Sequence, residues 1–243
     1  MLFLRSFVFN ILFYVNLTGL VLFGVPLLFM GRFGVFKLAR AWAWSSLWLL
    51  DKICGMKIEI RGREKIPQGG LIIAPKHQSI WETFVLTTQM PDFSYVLKRE
   101  LTWIPFFGWY LIRAEQMAID RGSGRTALKQ IATSAKAFIA QGRQVFIFPE
   151  GTRRAVDAPP QYKFGVAQIY SETGATCLPV ALNAGLFWPR RSFLRKPGTV
   201  VLEFLDPIPP GLTKAAFLRE LESRIETATN HLVAEARAKD PSL

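Results

Sequence analysis

His77 and Glu82 are the residues whose types and spacing point most directly to chemistry. His77 is one of two histidines in the chain and stands five residues before a carboxylate. Along a regular helix five residues turn through about 500°, which would point the two side chains apart, so they meet only if His77 lies outside the helix that carries Glu82. The neighbouring residues favour that arrangement. Leu71-Ile72-Ile73-Ala74 reads as a strand, Pro75 discourages helix in the residue before it, and Ser79 is a candidate cap for a helix with Glu82 in its first turn. The product is a strand, a loop bearing an imidazole, and a carboxylate that fixes the ring's tautomer and raises its basicity. A histidine held in this way is a general base for a hydroxyl. Taken alone, the spacing equally suits an ordinary histidine beside an unrelated helix.

Two further strand ends carry residues of the right type. Gln116 to Asp120 reads as a strand running into Asp120-Arg121, and Gln144 to Phe148 as a buried strand running into Pro149-Glu150-Gly151-Thr152-Arg153. Ligands of open α/β sheets gather at the carboxyl ends of strands. Arg121 and Arg153 suit a phosphate, whose oxygens a guanidinium meets in a bidentate fork, and Gly151 permits close backbone approach. The sequence contains no P-loop, acidic metal motif or nucleophile elbow, which argues against kinase, phosphatase and lipase chemistry. His231 falls on the outer side of a terminal helix, which leaves His77 as the histidine with catalytic context.

The elements that must position these groups read as an anchor followed by one α/β domain. Between Arg5 and Arg32 there is no charged residue, and Phe7 to Met30 is almost wholly apolar, long enough to span a bilayer and too long for the apolar region of a signal peptide. Gly24 and Pro26 also allow a helix pair within one leaflet. Arg32, Lys37 and Arg40 follow the run against Arg5 before it, which places the domain on the cytoplasmic face. Leu38 to Leu50 mixes Trp42, Trp44 and Trp48 with basic residues, the composition of a helix at headgroup level. We therefore expect residues 1–55 to form a membrane anchor and 56–243 a catalytic domain. Strands at Lys57–Arg61, Leu71–Ala74, Tyr95–Leu97, Cys177–Leu182 and Thr199–Phe204 join the two above. Between them lie helices near Ser123–Gly142 and Phe164–Thr173, with a terminal helix capped by Thr213. This alternation predicts an α/β fold with a mixed, largely parallel sheet. The aromatic segment Trp103-Ile104-Pro105-Phe106-Phe107-Gly108-Trp109 suits an acyl tunnel, a lipid contact or core packing.

Composition agrees with a membrane surface. Half of the 243 residues are hydrophobic, 20 are Phe, and the net charge is +12. Nucleic acid would account for the charge but not for the apolar excess, and no zinc spacing or RNA-binding motif accompanies it. Cys54 and Cys177 form neither a disulfide framework nor a metal site.

Together these blocks resemble the glycerolipid acyltransferases typified by bacterial 1-acyl-sn-glycerol-3-phosphate acyltransferases. The resemblance runs in order and spacing from about Ile58 to the terminal helix. The family's H-x-x-x-x-D block is met by His77 to Glu82, its I-D-R block by Ile119-Asp120-Arg121, its F-P-E-G-T-R block unchanged by Phe148 to Arg153, and its apolar strand around proline by Leu178-Pro179-Val180. Lys98, and Lys163 with Gly165, fall where the family carries basic residues near the substrate phosphate. Three departures stand out. Glu82 replaces Asp, Lys76 replaces the Asn before the histidine, and Glu115 stands where the second block commonly has Gly.

The resemblance implies that His77 deprotonates the sn-2 hydroxyl of lysophosphatidic acid, which then attacks an acyl thioester directly, with no metal and no covalent acyl-enzyme. It further implies that Glu82 orients His77, and that Arg121, Arg153 and Lys163 hold the phosphate. Glu150 and Gly151 shape the loop between them, and Lys98, Asp120 and Thr152 complete the substrate site. The implied partners are membrane lipid and a thioester of acyl-carrier protein or coenzyme A, either of which the basic loop Arg190, Arg191, Arg195 and Lys196 could meet. Two other readings use the same residues: an acyltransferase for another lysolipid, and a catalytically silent membrane protein that binds lipid, the latter motivated by Glu82.

Overall fold

The computed structural model describes residues 1–120 and 124–243, apart from the side chains at 125 and 127. Its strands are β1 (Met56–Arg61), β2 (Leu71–Pro75), β3 (Phe93–Lys98), β4 (Met117–Ile119), β5 (Gln144–Phe146), β6 (Cys177–Leu182) and β7 (Gly198–Phe204). They form one seven-stranded sheet in the order β1-β7-β6-β2-β5-β3-β4. All neighbouring strands are parallel except β6 and β7, so the sheet is mixed and largely parallel, as the sequence predicts. The helices are α1 (Leu2–Phe23), α2 (Gly31–Leu49), α3 (Trp81–Gln89), α4 (Phe107–Arg113), α5 (Gly124–Ala140), α6 (Phe164–Thr173), α7 (Ala184–Phe187) and α8 (Lys214–Lys239).

Strand β2 shows why the sheet sits between two helical layers. Leu71 and Ile73 enter the core formed with α1, α2 and α3, while Ile72 and Ala74 enter the one formed with α5, α6 and α8. Successive side chains of a strand point to opposite faces, so an unbroken apolar run belongs to a strand covered on both. β5 stops two residues short of the expected strand. Ile147 still donates to Ile73 O at 3.0 Å, but Pro149 has no N–H to continue the ladder. The second-layer helices have clear end signals. Gly142 and Gly174 lie in the left-handed region after α5 and α6, and the Thr213 hydroxyl accepts the Ala216 N–H at the start of α8. The expected cap Ser123 lies outside the described residues.

The apolar N-terminal run is not one continuous helix. α1 is long and apolar enough to cross a membrane, but the chain turns at Gly24 and runs through a 3₁₀ turn over Val25–Met30. It then returns along α2. A Cβ at Gly24 would stand 2.5 Å from Leu38 Cδ2, so a larger residue there would push the Leu38 side chain aside where the helices approach. Asn16 donates to Ser45 across the pair at 2.8 Å. The inner face of this hairpin is part of the core: Phe9, Phe13 and Phe36 are buried, and Phe13 packs on Trp42 and Phe84. Each such phenylalanine contributes about 1.5–3 kcal/mol when fully buried. The outer face exposes Phe7, Ile11, Tyr14, Phe33, Trp44 and Trp48.

The aromatic segment 103–109 turns outward, exposing Trp103, Phe106 and Trp109, which removes core packing from its three readings. It adjoins the hairpin through Tyr110 Oη, which donates to Val21 O at 2.7 Å, and Arg113 Nε, which donates to Leu28 O at 2.8 Å.

Candidate active site

β2, β5, β3 and β4 are adjacent and parallel, so their carboxyl ends lie along one rim of the sheet. His77 follows β2, the Glu150–Arg153 loop follows β5, Lys98 ends β3 and Asp120 follows β4. This order arises from core packing. β2 and β5 are fully buried strands, and polar residues follow where each leaves the sheet.

His77 sits just past the strand in a short loop before α3, so the helical rotation that would separate it from Glu82 does not apply. Its Nδ1 lies 2.8 Å from Glu82 Oε1. Glu82 also accepts the backbone N–H groups of Gln78 at 2.9 Å and Ser79 at 2.8 Å, which explains how a residue one methylene longer than aspartate is accommodated. With Glu82 as acceptor, Nδ1 carries the proton and Nε2 keeps its lone pair for a substrate hydroxyl. Ser79 stands one residue before the cap position, which Ile80 occupies, and its hydroxyl accepts the Trp81 N–H at 3.3 Å.

The backbone and ring of His77 are held as well. Its N–H donates to Glu150 Oε2 at 3.0 Å and its carbonyl accepts the Arg154 N–H at 2.7 Å. The Phe148 ring stacks on the imidazole with centroids 3.8 Å apart. The third sequence block thus supports the first from two sides, by a ring and by a carboxylate. Glu150 is fully buried, which raises its carboxyl above the usual range, while Lys76 and the His77 N–H pull it back.

Gly151 adopts φ +66°, and Lys163 lies close beside it: the Lys163 N–H donates to Pro149 O at 2.7 Å, and a Cβ on Gly151 would stand 3.5 Å from Lys163 Cγ. The structure therefore gathers His77, Glu82, Glu150, Gly151 and Lys163. Thr152 is exposed on the same loop and Arg153 is half-buried, its carbonyl accepting from Arg190 at 3.0 Å. Lys98 and Asp120 stand further along the rim. Strands are spaced by about 4.8 Å, so Asp120, three strands from β2, is on the order of 14 Å away. Asp120 pairs with Arg99 at 2.8 Å. Arg121 lies outside the described residues.

The departures from the family pattern have physical readings. Glu115 has φ +55°, a conformation glycine adopts freely, and its carboxylate is held by Arg143 at 2.6 Å. The basic loop is only partly available to a partner. Arg195 is buried under α1, donating to Asn10 at 2.8 Å and stacking over Trp188, and Lys196 donates to Ser242 O at 3.0 Å. Sequence reasoning did not assign roles to Phe148, Tyr162 and Glu226. Phe148 lies within a recognised block. Glu226 is one of many charges on a long helix and carried no signal.

A histidine backed by a fully buried carboxylate, beside a glycine loop and cationic side chains at the carboxyl ends of an α/β sheet, suits an enzyme that acts on a hydroxyl in group transfer. The chain belongs to the acyltransferase family, whose model matches residues 57–183, and is an O-acyltransferase. It is 37% identical over 194 residues to a 1-acyl-sn-glycerol-3-phosphate acyltransferase of Pseudomonas aeruginosa, covering 80% of this chain and 76% of that one. A protein of the same name from Borreliella burgdorferi is 33% identical over 150 residues, which is 60% of this chain and 58% of the relative. The crystal structure of a lysophosphatidic acid acyltransferase from Thermotoga maritima has the same fold, with a TM-score of 0.78, 21% identity, and coverage of 96% of this chain and 99% of that chain.

Proposed function

We propose that this enzyme transfers an acyl chain from an acyl thioester to the sn-2 hydroxyl of 1-acyl-sn-glycerol-3-phosphate, forming phosphatidic acid for phospholipid biosynthesis. The observation that carries this reading is the 2.8 Å contact between His77 and Glu82 beside the Glu150–Arg153 loop. His77 Nε2 takes the hydroxyl proton and the alkoxide attacks the thioester carbonyl. The tetrahedral adduct then expels a thiolate, which recovers the proton from the imidazolium. In this reading Glu82 stabilises the imidazolium, and Arg153, Lys163 and Arg121 hold the phosphate, with no metal or acyl-enzyme involved. The Arg153 guanidinium makes no hydrogen bond or ion pair among the described residues, which leaves it available for a phosphate. Glu150, Gly151 and Thr152 shape the glycerol end, and Lys98 and Asp120 the outer rim.

The names of the relatives, and an acceptor that bears one phosphate and one free hydroxyl, support lysophosphatidic acid as substrate. The donor is an acyl-carrier protein or coenzyme A thioester, met by Arg190 and Arg191, the two arginines of the basic loop that the α1 interface leaves at the surface. Residues 1–55 anchor the domain from the cytoplasmic face. The in-leaflet hairpin is favoured over a spanning helix because α1 turns back into α2 and packs against the domain at Ser6, Phe9 and Phe13. The reading is tested by incubating membranes bearing the protein with labelled acyl thioester and a panel of lysolipids. Formation of phosphatidic acid supports it. Turnover of another lysolipid alone would reassign the acceptor, and lipid binding without transfer would leave a silent protein.

A further inference from the structure

Lys76 is the residue that departs from the family pattern immediately before the base, and it is almost fully buried. A buried ammonium is tolerated only when its charge is matched and its donors are satisfied. Lys76 Nζ is matched in charge and engages two of its three donors, bonding Glu150 Oε1 at 3.0 Å and Glu226 Oε1 at 2.7 Å. Glu226 belongs to α8, and its Oε1 also accepts the Tyr162 hydroxyl at 2.9 Å. The other oxygen of Glu150 accepts the His77 N–H at 3.0 Å. One ammonium therefore connects the peptide of the base, the Glu150 loop and the terminal helix. An asparagine at this position would supply neither the charge nor the reach.

We infer that Lys76 is a positioning residue for acyl transfer: shared as counter-ion by Glu150 and Glu226, it keeps Glu150 in place to hold the His77 peptide and ties the C-terminal helix to the base. The ionisable groups around Glu150 are Lys76 and the adjoining His77 from the β2 loop, Glu226 with Glu222 behind it from α8, and Tyr162. Three of these are carboxylates, counting Glu150, and Lys76 is the cation that contacts two of them, Glu150 and Glu226. Burial already raises the Glu150 carboxyl. Without Lys76 it would take up a proton at higher pH, and its neutral form would grip the His77 N–H less firmly, because hydrogen bonds to an ionised acceptor are about twice as strong. The clamp also reaches the far side of the site, since Tyr162 adjoins Lys163, whose N–H is bonded to Pro149. This inference rests on the acyltransferase reading above.

The test compares kcat and KM across pH for wild type, Lys76→Met, Lys76→Met/Glu226→Gln and Glu226→Ala in the full-length membrane-bound enzyme. The acceptor is whichever lysolipid the wild type acylates, so failure of the lysophosphatidic acid reading leaves the comparison intact. Lys76→Met is expected to lower kcat about 10- to 100-fold at pH 7, change KM by less than about threefold, and move the acid limb of kcat up by about one pH unit or more. Adding Glu226→Gln removes one of the uncompensated carboxylates and should restore at least part of kcat and return the limb toward wild type. Glu226→Ala keeps the Lys76–Glu150 pair but frees α8, and should lower kcat about three- to tenfold without moving the limb up. If Lys76→Met does not fold, Glu226→Ala decides the matter, with unchanged kcat overturning the inference. A Lys76→Met enzyme with wild-type kcat and acid limb would overturn it, as would a uniform loss at every pH that Glu226→Gln does not relieve.

Discussion

Glu82 reaches back from the first turn of α3 to bond His77 Nδ1 at 2.8 Å, while the same carboxylate gathers the N–H groups of Gln78 and Ser79. It therefore orients the base and closes the loop that carries it. Glu82→Gln should lose most turnover, because an amide cannot stabilise the imidazolium formed during proton transfer. Glu82→Asp keeps the charge but shortens the reach by one methylene across three bonds, so it should retain part of the activity and clearly exceed Glu82→Gln. Steady-state kcat for the two variants checks this order, and equal rates would make the carboxylate's charge irrelevant.

Arg153 is assigned to the substrate phosphate. Replacing it by Ala should chiefly raise KM for lysophosphatidic acid, by the roughly 1.5–3 kcal/mol of a charge-assisted hydrogen bond, with a smaller change in kcat. An unchanged KM would remove Arg153 from the site.

The dyad and its loop were legible because their residues are local and chemically distinctive: an imidazole, a carboxylate five positions on, and Phe148 to Arg153 with its glycine at positive φ. The strand and helix order was legible from apolar runs with clear stops, such as Pro75 as the last residue of β2 and Gly174 after α6. What was not legible depends on partners distant in sequence. Lys76 meets Glu226 150 positions away, and Arg195 is buried by Asn10 at a separation of 185. A one-dimensional pattern marks each of these as a charge and says nothing about what stands opposite. The hairpin was ambiguous for a related reason. Hydropathy shows that Phe7 to Met30 avoids water, while only the packing of Phe9 and Phe13 shows that part of it turns toward protein.

That packing sets the outcome of truncation. Deleting residues 1–55 would expose the surface on which Phe9, Phe13, Phe36 and Leu47 sit, and should give an insoluble, inactive domain. Replacing outward-facing Phe7, Ile11, Trp44 and Trp48 by Ser should weaken membrane association while leaving the fold in place. Sedimentation with and without detergent, together with circular dichroism, distinguishes the two. A truncated domain that is soluble and active would show that the hairpin is dispensable to the core.

Arg61 on β1 grips Glu235 on α8 through two bonds of 2.8 and 3.0 Å. This pairing, with Lys239 assisting, pushes the Glu235 carboxyl down to about 2. Because the folded value lies below the unfolded carboxylate value of about 4.3, the stabilisation is present above that pH and is lost as pH falls toward 2. The Tm difference between wild type and Glu235→Gln should be largest above about pH 5 and close at lower pH. It should also shrink in high salt, since both side chains are partly exposed. A difference that stays constant with pH would contradict the assignment.

The central claim is that His77 is the base that activates the sn-2 hydroxyl of lysophosphatidic acid. The most direct measurement is phosphatidic acid formation by His77→Ala and wild-type enzyme in the same membranes, with labelled acyl thioester and protein amounts matched. The account predicts that the wild type forms phosphatidic acid and that His77→Ala falls by about 10²- to 10⁴-fold, with an unchanged circular dichroism spectrum. Turnover by folded His77→Ala at the wild-type rate would contradict it.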